Sequence, residues 1–214
     1  MLNTCSNCGA YRVDKLIVPE GPYAICPACG YRHAFRRLPL LIVSGASGVG
    51  KSTVCRALSG KLSEVVLLDS DMLWRREFDK PENKYREYFE MWLRVCKNIA
   101  QSSRLVVLFG AGMGVPENIE PCLERRYFSN VYYLALTCEP RIQTQRLQRR
   151  PVWRSSVDAD YLATHISFNQ WFRENAQKVT PTIDLLDTTE TALEETCECV
   201  ADWIRAKLGP AGNL

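Results

Sequence analysis

The sequence predicts an α/β fold with a small metal-held head in front of it, and three observations carry that expectation. From Leu38 onward, short apolar runs alternate with amphipathic segments of helical length, the pattern of a parallel sheet joined by crossover helices. The turn after the first of those runs reads Gly45-Ala-Ser-Gly-Val-Gly-Lys51-Ser52, a complete G-x-x-x-x-G-K-[ST] phosphate-loop pattern. Residues 1–37 show little strand or helix periodicity, are dense in Cys, Gly and Pro, and contain Cys5-x-x-Cys8 and Cys26-x-x-Cys29.

A chain of 214 residues can bury one full α/β core with an appendage, but hardly two large domains. The expected division is a head over residues 1–37 and a nucleotide-binding body over residues 38–214. The net charge is +3. The head alone holds Arg12, Lys15, Arg32, Arg36 and Arg37 against Asp14 and Glu20, so the surplus sits there and the body is close to neutral. No apolar stretch approaches the roughly 18–20 residues that span a bilayer. The N-terminus also lacks the charged-then-apolar pattern of a signal segment. These readings predict a cytoplasmic protein with no membrane partner, where thiols stay reduced and paired cysteines point to metal. The other cysteines (Cys55, Cys96, Cys122, Cys138, Cys197 and Cys199) lie mostly in apolar surroundings and are expected to fill core space.

The elements follow in order. Leu38–Ser44 is an apolar run ended by Gly45, as for a strand buried on both faces. The stretch from Gly50 to Leu62 spaces Val54, Ala57, Leu58 and Leu62 as a helix, and Val65–Asp69 is the second strand. A helical stripe is expected from Lys80 to Gln101, and a third strand over Leu105–Phe109 runs into the loop Gly110-Ala-Gly-Met-Gly114. Pro116–Arg126 is read as a short helix and Val131–Leu136 as the fourth strand. Glu139–Arg150 is a basic helix stopped by Pro151, and a further helix runs from Asp160 to Lys178. Ile183–Leu186 is the fifth strand, and Asp187-Thr-Thr189 offers N-cap chemistry for a last helix to about Leu208.

Glycines in the phosphate loop let the backbone wrap an anion with its N–H groups pointing inward, and the helix that follows adds partial positive charge. Gly45, Ser47, Gly48, Val49, Gly50, Lys51, Ser52 and Thr53 are therefore the expected ATP-binding residues. Lys51 would reach the β- and γ-phosphates, and the Ser52 hydroxyl would join the Mg²⁺ shell.

The second strand ends Asp69-Ser-Asp71, two carboxylates at the carboxyl end of a parallel strand beside the loop. Here the sequence resembles the P-loop kinases of small metabolites (shikimate, gluconate and adenylylsulfate kinases) and the nucleoside monophosphate kinases. The resemblance implies a three-layer fold on a five-stranded parallel sheet and transfer of the ATP γ-phosphoryl to a small acceptor. It assigns Asp69 to hydrated Mg²⁺ and Asp71 to the acceptor hydroxyl. The third strand ends Phe109-Gly110 without the acidic residue of P-loop ATPases, and Gly110–Gly114 is similar to the substrate loop of shikimate kinase. By the same resemblance an arginine-bearing lid lies around residues 146–160, with Arg146, Arg150 and Arg154 stabilising charge on the transferring group. Asp187-Thr188-Thr189 resembles the loop bordering adenine, though helix capping explains those residues equally well. Aromatic residues of the Tyr85–Trp92 stretch make a nucleoside or nucleotide the favoured acceptor.

The two C-x-x-C pairs are 17 residues apart, the spacing of a four-cysteine zinc site. Cys-Ser-Asn-Cys-Gly and Cys-Pro-Ala-Cys-Gly look like zinc-ribbon knuckles, with Gly9 and Gly30 where positive φ is needed. A head this short needs the ion as its core, and four thiolates leave no open position, so Cys5, Cys8, Cys26 and Cys29 predict structural Zn²⁺. His33 is expected to be exposed and His165 to pack beside Phe168 and Trp171 or face substrate, without a catalytic role. Two rivals remain: a polynucleotide end kinase whose basic head grips phosphates, and a binding switch with slow hydrolysis.

Overall fold

A computed structural model describes residues 2–150 and 158–208. Arg154 and the middle of the expected lid, residues 151–157, lie outside the described residues. Among these residues the body is built on five parallel strands: β4 (Leu40–Ser44), β5 (Val65–Asp69), β6 (Leu105–Phe109), β7 (Val131–Thr137) and β8 (Ile183–Asp187), in the order β5-β6-β4-β7-β8. They are preceded by a three-stranded antiparallel sheet of β1 (Leu16–Val18), β2 (Tyr23–Ile25) and β3 (Arg32–Ala34) in the head.

Strand periodicity creates the three layers. Leu41 and Val43 face α1 (Lys51–Leu58) and α6 (Leu193–Leu208), packing with Val54, Leu58, Val200 and Ile204. Leu40 and Ile42 face α2 (Arg86–Ala100) and α5 (Ala159–Asn175), packing with Trp92, Leu93 and Phe172. Every β4 residue is buried, as expected for a strand covered on both faces. Each such aliphatic side chain contributes about 1.5–3 kcal/mol on burial. The order places β4 centrally, so the loop after it opens at the carboxyl edge where the chain's crossovers change direction.

Three expectations are corrected. The helix expected from Lys80 begins only at Arg86: Pro81 opens a short 3₁₀ turn, and Lys84 and Tyr85 take left-handed backbone (φ 54° and 56°) that no α-helix contains. Pro116–Arg126 is split into α3 (Pro116–Ile119) and a 3₁₀ turn (Leu123–Tyr127), because Pro121 cannot donate into a continuous helix. Asp187-Thr-Thr189 does not cap the last helix, which starts at Leu193. Asp187 instead accepts from the Thr189 amide (2.8 Å), and Thr189 accepts from the amide of Glu139 at the start of α4 (Pro140–Gln148).

The head seats on the body through a buried polar cluster. Asn3 donates to Glu124 at 3.0 Å and accepts from Lys97 at 2.8 Å, while Glu124 also receives Lys97 and Arg94. Burial pushes the Glu124 carboxyl up, but Lys97, Arg94 and Asn3 outweigh it and hold the group below the usual carboxylate range. Leu2, Ala24, Phe35 and Tyr127 close an apolar patch around this cluster. Cys55, Cys96, Cys122, Cys138 and Cys197 are buried, as expected of core filler, and Cys199 is exposed.

Candidate functional site

The phosphate loop links β4 to α1 and takes its shape from close backbone approach. Gly45 has φ 131°, and a Cβ there would lie 2.3 Å from the Leu136 carbonyl oxygen. Lys51 opens α1 and folds back over the loop, donating to the carbonyls of Gly45 (2.7 Å) and Ala46 (2.8 Å). Burial pushes its ammonium down to about 8; Asp71 and Asp69 oppose that shift, while Arg150 adds to it. These four charged side chains therefore share one electrostatic neighbourhood.

Asp69 ends β5, and its carboxylate accepts the amide of Asp71 at 3.0 Å, turning the chain into a 3₁₀ turn over Ser70–Leu73. The Tyr88 hydroxyl donates to the Ser70 carbonyl at 2.6 Å, fixing that turn to α2. Trp74 stands beside it, about half exposed, edge-on to Tyr88 at 5.1 Å and tilted against Tyr85 at 6.1 Å. Across the sheet edge, the Ser44 hydroxyl lies 2.8 and 2.6 Å from the carbonyls of Gly110 and Ala111 and accepts the Gly114 amide at 3.1 Å. Ser44 thus shapes the Gly110–Gly114 loop, a role the sequence reading did not give it.

A cleft of about 390 Å³ runs over the loop and is lined by Gly48–Val54, Arg146, Arg150, Thr188 and the start of α6. Thr188 is its fixed point: buried, with its hydroxyl 3.0 Å from the carbonyls of Val49 and Thr137. Arg146 donates to that hydroxyl at 3.0 Å and to the Thr188 carbonyl at 2.6 Å. Arg146 therefore lies on α4 along the Thr188 wall, while Arg150 sits just beyond the helix near Lys51. Ser52 and Thr53 line the same cleft, and Asp69 ends β5; hydroxyl and carboxylate oxygens are the hard donors that could hold Mg²⁺ alongside water.

His165 faces the phosphate loop. Its Nδ1 is 3.4 Å from the Ser47 amide, and Gln143 donates to the carbonyls of both Ser47 (2.8 Å) and His165 (3.0 Å). The only signal in the sequence was Tyr161, one helical turn before it, which packs edge-on at 4.3 Å between ring centroids.

In the head the sulfurs of Cys5, Cys8, Cys26 and Cys29 all lie within 4.8 Å of one another. Cys5–Cys29 is 3.7 Å and Cys8–Cys26 3.9 Å, close to the roughly 3.8 Å edge of a tetrahedron with Zn–S bonds of about 2.3 Å. Gly9 and Gly30 both have φ 72°, as the knuckles require. Burial opposes a thiolate at Cys5, but the amides of Cys8 and Asn7 and the His33 ring hold it down to about 5. The Ala10 amide favours a thiolate at Cys8, yet its sulfur neighbours and burial push it up to about 11. Thiols this close resist ionising together, and a divalent cation removes that conflict. His33 is half-buried rather than exposed, its Nε2 3.4 Å from the Cys5 sulfur.

A family described as an AAA domain matches residues 41–162, more than half of the chain and the whole of the phosphate loop. The chain belongs to this AAA-domain family. No curated protein matches it in sequence. Solved structures similar to this AAA-domain protein include a sugar kinase from Janibacter sp. HTCC2649 (TM-score 0.56, 14% identity, covering 79% of this chain and 95% of the other). A shikimate kinase from Acinetobacter baumannii in complex with shikimate matches at TM-score 0.52 and 21% identity, covering 82% and 98%. A gluconokinase from Sinorhizobium meliloti 1021 matches at TM-score 0.53 and 17% identity, covering 81% and 95%. At these identities the likeness establishes the fold, that of the P-loop small-molecule kinases expected from the sequence. Among the described residues, no helix is long and apolar enough to cross a membrane.

Proposed function

We propose that the protein is an ATP- and Mg²⁺-dependent phosphotransferase acting on a small-molecule hydroxyl or phosphate, with a structural Zn²⁺ in its head and a place among cytoplasmic enzymes. The observation that carries the reading is the phosphate loop, with Lys51 and Arg150 lining the cleft over it and Asp69-Ser-Asp71 turning off the carboxyl end of β5. In the reaction, Lys51 releases its loop carbonyls for the β- and γ-phosphates, and the loop amides take up the phosphate oxygens. Asp71 orients the acceptor and receives its proton, and Arg150 offsets charge that builds on the transferring group. Arg154 would join Arg150. Arg146, held by Thr188, borders the nucleotide base. When bound, Mg²⁺ neutralises phosphate charge, with Ser52 and Asp69 holding it and its waters.

Trp74 and Tyr85 beside Asp71 favour an acceptor with a flat ring, a nucleoside or nucleotide. The head does not favour a polymer. Arg12 is engaged by Asp14, Arg32 lies over the Tyr23 ring at 4.3 Å, and Lys15 is fully buried. Only Arg36 and Arg37 of the head's five basic residues lie outside these contacts, a smaller set than a grip on a phosphate chain calls for.

The deciding experiment measures acceptor-stimulated ADP release across sugars, hydroxy acids, nucleosides and nucleotides, with Asp71→Asn alongside. Transfer by the variant is expected to fall by about 10²–10⁴-fold while ATP affinity stays unchanged. ATP hydrolysis that no acceptor stimulates would move the binding switch ahead of the kinase.

A further inference from the structure

His165 is one of two histidines in the chain, and no role assigned above uses it. It reaches from α5 to the Ser47 amide, in the middle of the phosphate loop. An amide nitrogen can only donate here, so Nδ1 accepts, and the ring is the neutral tautomer with its proton on Nε2. At 3.4 Å this is a long hydrogen bond, readily exchanged for a better one. Gln143 closes the corner by binding the carbonyls of Ser47 and His165, so both backbones are held while the ring and the amide can part. The charged groups acting on the ring are the Lys51 ammonium and the Arg150 guanidinium, and Tyr161 covers one edge. Burial first, and then those two cations, push the imidazole down to about 4.

We propose that His165 is a phosphate-responsive residue of the loop: its Nδ1 takes the Ser47 N–H in the free protein, yields that N–H to a nucleotide phosphate, and then gains a proton and donates to the phosphate itself. This inference rests on the nucleotide reading above. Once a phosphate oxygen accepts the Ser47 N–H, a neutral Nδ1 would point a lone pair at an anion. A proton taken from solvent converts that repulsion into a charge-assisted hydrogen bond. The same phosphate charge offsets Lys51 and Arg150, the two cations that add to burial in keeping the ring neutral in the free protein. Nucleotide binding is thereby coupled to uptake of one proton at His165. Because the bound ring titrates above the free one, affinity rises as pH falls through the bound midpoint, by up to about tenfold per pH unit, and levels off below the free midpoint.

The test is imidazole NMR on the full-length, zinc-replete protein from pH 4 to 8, free and saturated with Mg²⁺ and ATPγS. The His165 signal is assigned by its loss in His165→Asn. The His165 midpoint is expected to rise by two units or more on adding the analogue. Calorimetry should show ATPγS affinity strengthening toward acid in the wild type. In His165→Asn, whose side-chain oxygen can accept the Ser47 N–H but cannot be protonated, that extra pH dependence should vanish. An unmoved His165 midpoint in a protein that binds ATPγS overturns this inference alone, as does equal pH dependence in the two proteins. A wild-type protein that binds no ATPγS overturns the nucleotide reading with it. Should the asparagine variant fail to fold, His33→Gln supplies the assignment, and the wild-type midpoints decide the matter.

Discussion

The head and the body solve the same problem, holding a chain in one shape, with opposite means. The body buries alternate faces of β4, β6 and β7 against helices on both sides, so its stability is spread over dozens of aliphatic contacts. The head has three short strands, a handful of buried apolar residues and four converging sulfurs. Stability that is distributed tolerates the loss of any one contact. Stability concentrated in one ion and one buried polar cluster does not, and the two regions should fail differently when single residues are changed.

The sharpest break between them is Lys51→Ala. It removes the cation from the phosphate loop without touching either core, so phosphoryl transfer should fall by about 10²–10³-fold while the thermal midpoint and zinc content stay at wild-type levels. A variant with wild-type turnover would mean that the loop has been misread. Lys97→Met does the reverse. It strips Glu124 of its buried partner and Asn3 of a donor, and should cost about 3 kcal/mol, or roughly 6–12 °C in midpoint for a domain of this size. Arg94 remains, which keeps the effect at the low end.

Glu124→Gln sharpens the same point through pH. The Glu124 carboxyl is held below its ordinary range, so its contribution is present above about pH 4.3 and lost as pH falls through the lower folded value. The acid limb of the stability curve should therefore be shallower in Glu124→Gln than in wild type. Equal limbs would remove the electrostatic account of the junction.

Cys26→Ser tests the division itself. Elemental analysis should show the loss of one zinc per chain, and proteolysis should open the head between residues 2 and 37. ATP affinity should change by no more than about threefold, because no head residue lines the cleft. The smallest expected effect is Thr188→Val. It deletes the hydroxyl that Arg146 and the Val49 carbonyl share, and should weaken Mg²⁺·ATP binding by about fivefold, the worth of one hydrogen bond of about 1 kcal/mol.

What was legible in the sequence was local. The phosphate loop, the two knuckles and Asp69-Ser-Asp71 each lie within a few residues, and strand patterning gave the five-stranded sheet because a strand buried on both faces is apolar throughout. What escaped were contacts made across long stretches of chain. His165 meets Ser47 from 118 residues away, and Asn3 meets Glu124 from 121 residues away. Neither pair leaves a spacing to find, since their approach is set by how α5 and the head settle on a finished sheet. The late start of α2 was missed for a different reason. The aromatic stripe continued through Tyr85, and only the left-handed backbone at Lys84 and Tyr85 shows that the stripe and the helix part company there.

The partnership of Asn3 with Glu124 and Lys97 also imposes an order on biosynthesis. A ribosome adds roughly 5–20 residues per second, so Asn3 emerges about 6–24 s before Glu124 exists to receive it. Over that interval the head has to keep Leu2, Ala24 and Phe35 from unwanted partners without the Tyr127 surface that finally covers them. With the structural Zn²⁺ proposed above, the four-thiol site would be complete as soon as Cys29 has been made, within the first seventh of the chain. On that reading the knuckles would act as a chaperone in time, keeping the earliest-made part of the protein in order until the latest-made part of its seat arrives.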